Sequence, residues 1–175
     1  MKTDMTWAWP AALALSAFIG SWALACMLPF AAVATLAAAT MPARQAAATV
    51  MAVWAINQIV GFTLLSYPHS VDSYGWGLAV AGGAAAALAI ARSMLGRAPA
   101  LVSARTIVAF LAAFAAYELL LYGLATQVGG TETFAVAIVR DLFANEIAWL
   151  GGLGALYVVL SRAAPRLFAT RALAA

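Results

Sequence analysis

Five long runs of apolar residues, separated by short connections, fill most of this sequence. A transmembrane helix needs about 20 predominantly apolar residues to cross a hydrocarbon core about 30 Å thick. Hydrophobic residues make up 66% of the chain and charged residues 9%, whereas about 25% of the residues of a soluble domain are charged. The chain has too little polar surface to be wetted on all sides. It therefore predicts an all-α, polytopic transmembrane helical bundle with the lipid bilayer as its main surroundings.

Proline, glycine and charged residues mark the ends of the apolar runs. Proline removes a backbone donor and restricts the residue before it, and glycine beside proline is typical of turns. These breaks predict five transmembrane helices within a single integral membrane domain that covers residues 1–175. Pro29 falls inside the first run, where it predicts a kink or the end of the membrane portion. The spans are expected at residues 10–39, 45–66, 74–95, 101–127 and 133–162.

The first apolar run is expected to be a retained helix and not a cleaved secretory signal. A signal combines a basic start, a short apolar segment and a small-residue cleavage site. Here Lys2 is offset by Asp4, and the apolar stretch is much longer than that of a signal. We therefore count this run as the first span.

The distribution of arginine predicts the orientation of the bundle. Short cytoplasmic loops of membrane proteins are enriched in Lys and Arg. The opposite connections contain His69, Asp72 and Glu132. With five spans this pattern predicts an N-out, C-in protein of the cell membrane, which is the plasma membrane or, in a bacterium, the inner membrane. The arginines that lie on the predicted cytoplasmic side are Arg44, Arg92, Arg97, Arg105, Arg162, Arg166 and Arg171.

A few polar residues lie at membrane depth, and all of them fall in the outer half of the predicted bundle. A charge near the bilayer centre costs about 2.5 kcal/mol or more, so ionisable residues there generally mark functional sites. Residues four apart share a helix face, so Asp141, Asn145 and Trp149 form one stripe, with Glu146 beside it. The ligand-binding site predicted from this pattern consists of Asn57, Gln58, Tyr117, Glu118, Asp141, Asn145, Glu146 and Trp149.

The predicted site carries more negative than positive charge. Three carboxylates, those of Glu118, Asp141 and Glu146, stand against the single guanidinium of Arg140. Protons or a bound cation would balance this excess, and nearby aromatic rings attract organic cations. The leading hypothesis is therefore a small, transport-related membrane protein that binds a small cationic or metal-containing solute. The ligands of any such metal are unknown from the sequence.

The motifs of several other function classes are missing from the sequence. It has no glycine-rich phosphate loop, zinc-binding helix motif or serine nucleophile elbow, and no basic stripe for nucleic acid. His69 and Cys26 are the only histidine and cysteine, which excludes haem held by two histidines or a disulfide within one chain. We therefore predict no catalytic residues, no cofactor and no nucleic-acid partner, and a protein that is not an enzyme is favoured.

Two alternative functions follow from other features. Small residues let membrane helices approach closely, and five of them recur at four-residue spacing on the third predicted span. This stripe favours packing within the bundle, but it also suits an accessory or assembly subunit that docks on another membrane protein. In that case the polar residues would form structural hydrogen bonds and leave no cavity. The stripe consists of Gly75, Ala79, Gly83, Ala87 and Ala91.

The second alternative is an intramembrane enzyme that acts on a lipid or an isoprenoid. Paired acids can perform general acid and base chemistry. The sequence lacks a metal-binding acidic repeat and a nucleophile with an adjacent base. This alternative therefore ranks last.

Overall fold

The computed structural model describes residues 7–23, 28–96, 101 and 103–165. In this part of the chain the secondary structure is entirely helical, with one turn of 3-10 helix at Thr131–Phe134. The all-α prediction is confirmed for these residues. The helices are α1 Ala8–Ala23, α2 Phe30–Thr40, α3 Ala43–Thr63, α4 Val71–Leu95, α5 Ala104–Val128 and α6 Val136–Ala163.

Four of these helices, α3 to α6, are long and apolar enough to cross a membrane. The shortest of them has 21 residues, which corresponds to about 32 Å of helix. Their ends lie within three residues of the second to fifth predicted spans. Their outward faces expose large apolar side chains such as Ile59, Leu78 and Leu119, as expected of a surface in contact with lipid. The structure therefore describes a helical membrane protein with four candidate spans.

Local capping sets the lengths of α4 and α5. The hydroxyl of Ser70 accepts a hydrogen bond of 3.2 Å from the amide of Ser73, and Ser103 makes the equivalent bond before α5. These bonds satisfy amides that lack a partner within the helix. Gly96 and Gly129 end the two helices with φ angles of 67° and 96°, a conformation that glycine adopts readily.

The segment predicted as the first span, residues 10–39, is two helices instead of one. The indole N–H of Trp9 at the start of α1 donates a hydrogen bond of 2.9 Å to the hydroxyl of Thr40 at the end of α2. Both ends of the segment therefore lie at the same end of the bundle, so it does not cross as one helix. Pro29 directly precedes α2 with a non-helical ψ of 73°, which explains the break. The sequence rule found the break at this proline but not the reversal of direction.

The short helix α2 is the centre of the bundle. All 11 of its residues are buried, and it packs against α3, α4, α5 and α6. Ala31, Ala32, Ala34 and Ala37 are completely buried, and their small side chains allow the surrounding helices to come close. The longer helix α1 instead packs mainly on α3.

Side chains from two other helices neutralise the two ends of α2. The carboxylate of Glu146 on α6 accepts hydrogen bonds from the amides of Ala31, at 3.0 Å, and Ala32, at 2.7 Å. At the other end, the guanidinium of Arg92 on α4 donates to the carbonyl of Met41 at 3.1 Å. A helix carries partial positive charge at its amino end and partial negative charge at its carboxyl end. An acid and a base therefore stabilise α2 at the matching ends.

The small-residue stripe on α4 is largely used within the bundle. Gly83, Ala87 and Ala91 are buried, whereas Gly75 at the other end is exposed. A Cβ atom on residue 83 would come within 2.8 Å of the ring of Tyr117 on α5. The buried part of the stripe therefore permits the close packing of α4 against its neighbours.

We expect a larger side chain in α2 to destabilise the bundle. Ala34→Leu places three additional carbon atoms where α2 is completely buried, and overpacking of this kind costs about 1–3 kcal/mol. The matched control is Ala115→Leu on the exposed face of α5. Thermal unfolding in detergent should show a lower Tm for Ala34→Leu only. Equal Tm values for both variants would contradict the central position of α2.

We also expect the amino end of α2 to depend on the carboxylate of Glu146. Glu146→Ala leaves two buried amides without acceptors, which costs about 1–3 kcal/mol per group. Glu146→Gln keeps one acceptor and should have an intermediate effect. The control is Glu132→Ala, which removes an exposed acid from the 3-10 turn. From highest to lowest, the Tm values in detergent should be in the order Glu132→Ala, Glu146→Gln, Glu146→Ala. A wild-type Tm for Glu146→Ala would refute the interaction between Glu146 and the amides of α2.

Candidate functional site

A cavity of about 520 Å³ lies beyond the amino end of α2, at the end of the bundle away from Arg92. Helix α2 begins inside the bundle, and Leu28 and Phe30 at its start form one wall of the cavity. The other walls come from the adjoining portions of α3, α4, α5 and α6 and from the 3-10 turn. The cavity therefore occupies the space between four long helices that α2 does not fill.

Six of the eight residues predicted to form a ligand-binding site line this cavity. They come from α3, α5 and α6, which are separated in sequence by up to 89 positions, from 57 to 146. The fold therefore brings these six residues to a single cavity. The six are Asn57, Gln58, Tyr117, Glu118, Asn145 and Glu146.

The other two predicted residues lie outside the cavity lining. The Asp141 carboxylate pairs with Arg140 at 3.0 Å, and its side chain is 61% exposed. Trp149 packs against the hydrophobic core, one turn farther along α6 than Asn145, where the bundle is filled. The sequence pattern groups these residues with Asn145 because they share a face of α6. Which of their side chains reach the cavity depends also on their position along α6 and on the neighbouring helices.

The cavity also contains residues that the sequence did not single out for the site. Asp72 at the exposed start of α4 is a third lining acid, and Phe30, Phe114 and Phe134 are lining aromatic residues. Phe30 has no separate signal in the sequence, because the apolar run predicts that it belongs to a longer span. Phe114 precedes Glu118 by four residues on α5, and this spacing was the available signal.

The aromatic residues at the end of α3, in the connection to α4 and at the start of α4 divide into two groups. Tyr67 and Trp76 line the cavity. Tyr74 instead bonds to His69, with the Nδ1 and hydroxyl atoms 2.7 Å apart, and its ring stacks on Phe62. His69 and Tyr74 therefore support the connection beside the cavity without lining it.

Gly77 on α4 leaves room for the side chain of Gln58 on α3. The side-chain oxygen of Gln58 contacts the position that a Cβ atom on residue 77 would occupy. The indole N–H of Trp54 donates to the carbonyl of Gly77 at 2.7 Å. Any larger residue at position 77 would displace Gln58.

The buried Glu146 and the half-buried Glu118 have different hydrogen-bonding environments. Both carboxylate oxygens of Glu146 accept amides of α2, and the residue is only 5% exposed. In Glu118, the buried Oε2 atom has no hydrogen-bond partner in the described part of the chain. A buried acceptor without a partner is unfavourable. Glu118 is therefore the acid with free capacity to bind a donor or a cation.

The charge and surface of the cavity suit a positively charged molecule. Asp72, Glu118 and Glu146 line it, and its lining contains no Lys, Arg or His among the described residues. An organic cation is attracted both by carboxylates and by the faces of aromatic rings. No cluster of three or more His, Cys, Asp or Glu side chains suited to a metal ion occurs in the described residues. The lining aromatic residues are Phe30, Tyr67, Trp76, Phe114, Tyr117 and Phe134.

Comparisons with protein-family models, with curated proteins and with solved structures returned no match for this chain. No residue role can therefore be carried over from a relative. The features that can indicate a function are those of the cavity itself, above all its acids and aromatic rings.

Proposed function

We propose that this protein is a small, transport-related membrane protein that binds a small organic cation in the cavity beyond α2. The observation that carries the proposal is one cavity lined by three acids and six aromatic rings, with no basic residue among the described residues that line it. Its volume of about 520 Å³ falls within the range of about 300–1,000 Å³ typical of small-molecule sites. An accessory subunit without a ligand would be expected to have a filled bundle, so the cavity favours binding.

In this proposal Glu118 is the counter-ion of the bound cation. The carboxylate of Glu146 is already engaged by two amides of α2, so it forms the floor of the site. Asp72 is exposed and attracts cations towards the mouth. Tyr117 stacks on Phe30 with ring centroids 5.9 Å apart, and the two rings provide an aromatic wall.

The cavity is closed on the side of α2. All residues of α2 are buried between the surrounding helices, so α2 occupies the centre of the bundle beyond the cavity. We propose that the protein captures its ligand from one side. Release to the other side would require α2 to move or a second membrane subunit to act with it.

We further propose a topology of four crossing helices with both termini in the cytoplasm of the cell. Arg44 and Arg92 lie near the junction of α2 and α3, and the ring of Tyr157 near the end of α6 lies 4.9 Å from that of Trp9. The arginine-bearing end is expected to face the cytoplasm. The start of α1 lies at this end, which favours N-in, C-in over five spans with N-out. The cavity would then face the outside.

Cysteine labelling tests this topology. In a Cys26→Ala background, single cysteines replace Trp7, Arg44, His69 and Glu132, which are all exposed. In oriented membrane vesicles, Trp7→Cys and Arg44→Cys should react with a membrane-impermeant maleimide from the same side. His69→Cys and Glu132→Cys should react from the opposite side. If Trp7→Cys reacts together with His69→Cys, the amino terminus lies outside and the five-span topology is correct.

Binding of choline to the purified protein in nanodiscs tests the proposed function. Isothermal titration should detect saturable binding of choline and none of its uncharged tert-butyl isostere. Glu118→Gln should raise the Kd tenfold or more, because a hydrogen bond or contact to a charged group contributes about 1.5–3 kcal/mol. The control Glu132→Gln removes an exposed charge outside the cavity and should keep the wild-type Kd.

Two results would overturn the cation-binding proposal. The first is equal affinity of the wild type for choline and its uncharged isostere, since a charge-selective site must distinguish them. The second is an unchanged Kd for choline in a correctly folded Glu118→Gln variant. Elution as a single species in size-exclusion chromatography, with a wild-type Tm, establishes correct folding.

A further inference from the structure

Helices α5 and α6 are separated by a gap at the level of the cavity. Helix α5 packs closely on α4 and α2, whereas α5 and α6 have few close backbone approaches to each other in the described part of the chain. Helix α2 contacts both of them, so it holds them apart. Beyond the amino end of α2, the 3-10 turn Thr131–Phe134 contacts both α5 and α6.

A second, shallower cavity of about 290 Å³ lies in this gap. Glu118 and Phe134 line both this cavity and the central one. The remaining lining residues are Leu119, Tyr122 and Val139, and Leu119 is 68% exposed on the lipid-facing surface. The two cavities therefore adjoin at Glu118, and the outer one lies towards the bilayer.

Aromatic contacts flank Glu118 on both sides along α5. Phe114, Glu118 and Tyr122 recur every four residues and share one face of α5. Phe114 contacts Phe143 of α6 with ring centroids 5.1 Å apart, and Tyr122 contacts Phe134 of the 3-10 turn at 5.5 Å. The gap is thus a window bounded by the Phe114–Phe143 contact on one side of Glu118 and by the 3-10 turn on the other.

We propose that this window admits the hydrocarbon chain of the ligand, so that the natural ligand is an amphipathic cation taken from the bilayer. The proposal rests on the cation-binding function proposed above and specifies the substrate class. The cationic head lies at Glu118 within the aromatic cavity, and the chain passes between Leu119 and Val139 into lipid. A fully water-soluble cation would not enter through an opening with apolar and aromatic walls that faces hydrocarbon, because the hydrocarbon core contains no water to solvate it.

A tryptophan that fills the window tests this proposal. Val139→Trp narrows the outer cavity, and Val159→Trp places the same side chain on an exposed part of α6 distant in sequence from the window. Binding of tetramethylammonium and tetradecyltrimethylammonium is measured by competition with labelled tetramethylammonium in nanodiscs. Val139→Trp should weaken binding of the long-chain cation at least tenfold and leave tetramethylammonium unchanged, because the short cation does not occupy the window. Val159→Trp should change neither.

A photoreactive probe gives an independent measurement on the wild-type protein. A tetradecyltrimethylammonium analogue with a diazirine near the middle of its chain is crosslinked and located by mass spectrometry. The proposal expects labels on window residues of α5 and α6, among them Leu119 and Val139, and expects excess tetramethylammonium to suppress them. Labels at Asp72 and Tyr67 instead would show that the chain leaves through the mouth, and would overturn the window.

The outcomes separate the window from the cation site itself. If tetramethylammonium does not bind the wild type, the proposed function fails and the window proposal fails with it. If tetramethylammonium binds but Val139→Trp weakens both ligands equally or neither, the cation site stands and the window is rejected. Should Val139→Trp not fold, Leu119→Trp on the opposite side of the window provides the same comparison.

Discussion

The interaction between Glu146 and the amino end of α2 is the constraint on which the rest of the structure depends. A helix that begins inside a membrane protein exposes amides without partners in a region where water is scarce. The carboxylate of Glu146 accepts two of these amides, while Arg92 binds the carbonyl at the opposite end. With both ends satisfied, an 11-residue helix can be buried completely. Because α2 is so short, it fills one half of the bundle and leaves the other half open as a cavity.

This arrangement assigns different tasks to two acids in one cavity. Glu146 binds backbone amides and stabilises the amino end of α2. Glu118 has a buried oxygen without a hydrogen-bond partner in the described part of the chain. Two equivalent acids so close to a common cavity would repel each other when ionised. The positive end of α2 offsets the charge of Glu146, which leaves Glu118 as the group with which a cation can pair.

The same short helix explains the proposed lateral window. Helix α2 packs against both α5 and α6 and therefore keeps them apart along its length. Beyond its amino end, Phe114 of α5 contacts Phe143 of α6, and Tyr122 of α5 contacts Phe134 of the 3-10 turn, one on each side of Glu118. The burial of one half-length helix among four full-length helices thus accounts for three features of the site. These are the floor of the cavity, the acid that lies there and the proposed side opening.

The sequence by itself determined the helical membrane character, the limits of α3 to α6 to within a few residues, and six of the eight proposed site residues that line the cavity. These features depend on local hydrophobicity and helical periodicity, which are properties of neighbouring residues. Only the tertiary structure decided that residues 10–39 reverse direction, that Asp141 and Trp149 lie outside the cavity lining, and that Phe30 belongs to it. Composition is equally apolar in a crossing helix and in a buried half-length helix. The direction of the chain after Pro29 is set by long-range contacts, above all those of α2 with Glu146 and of Trp9 with Thr40, which no local pattern contains.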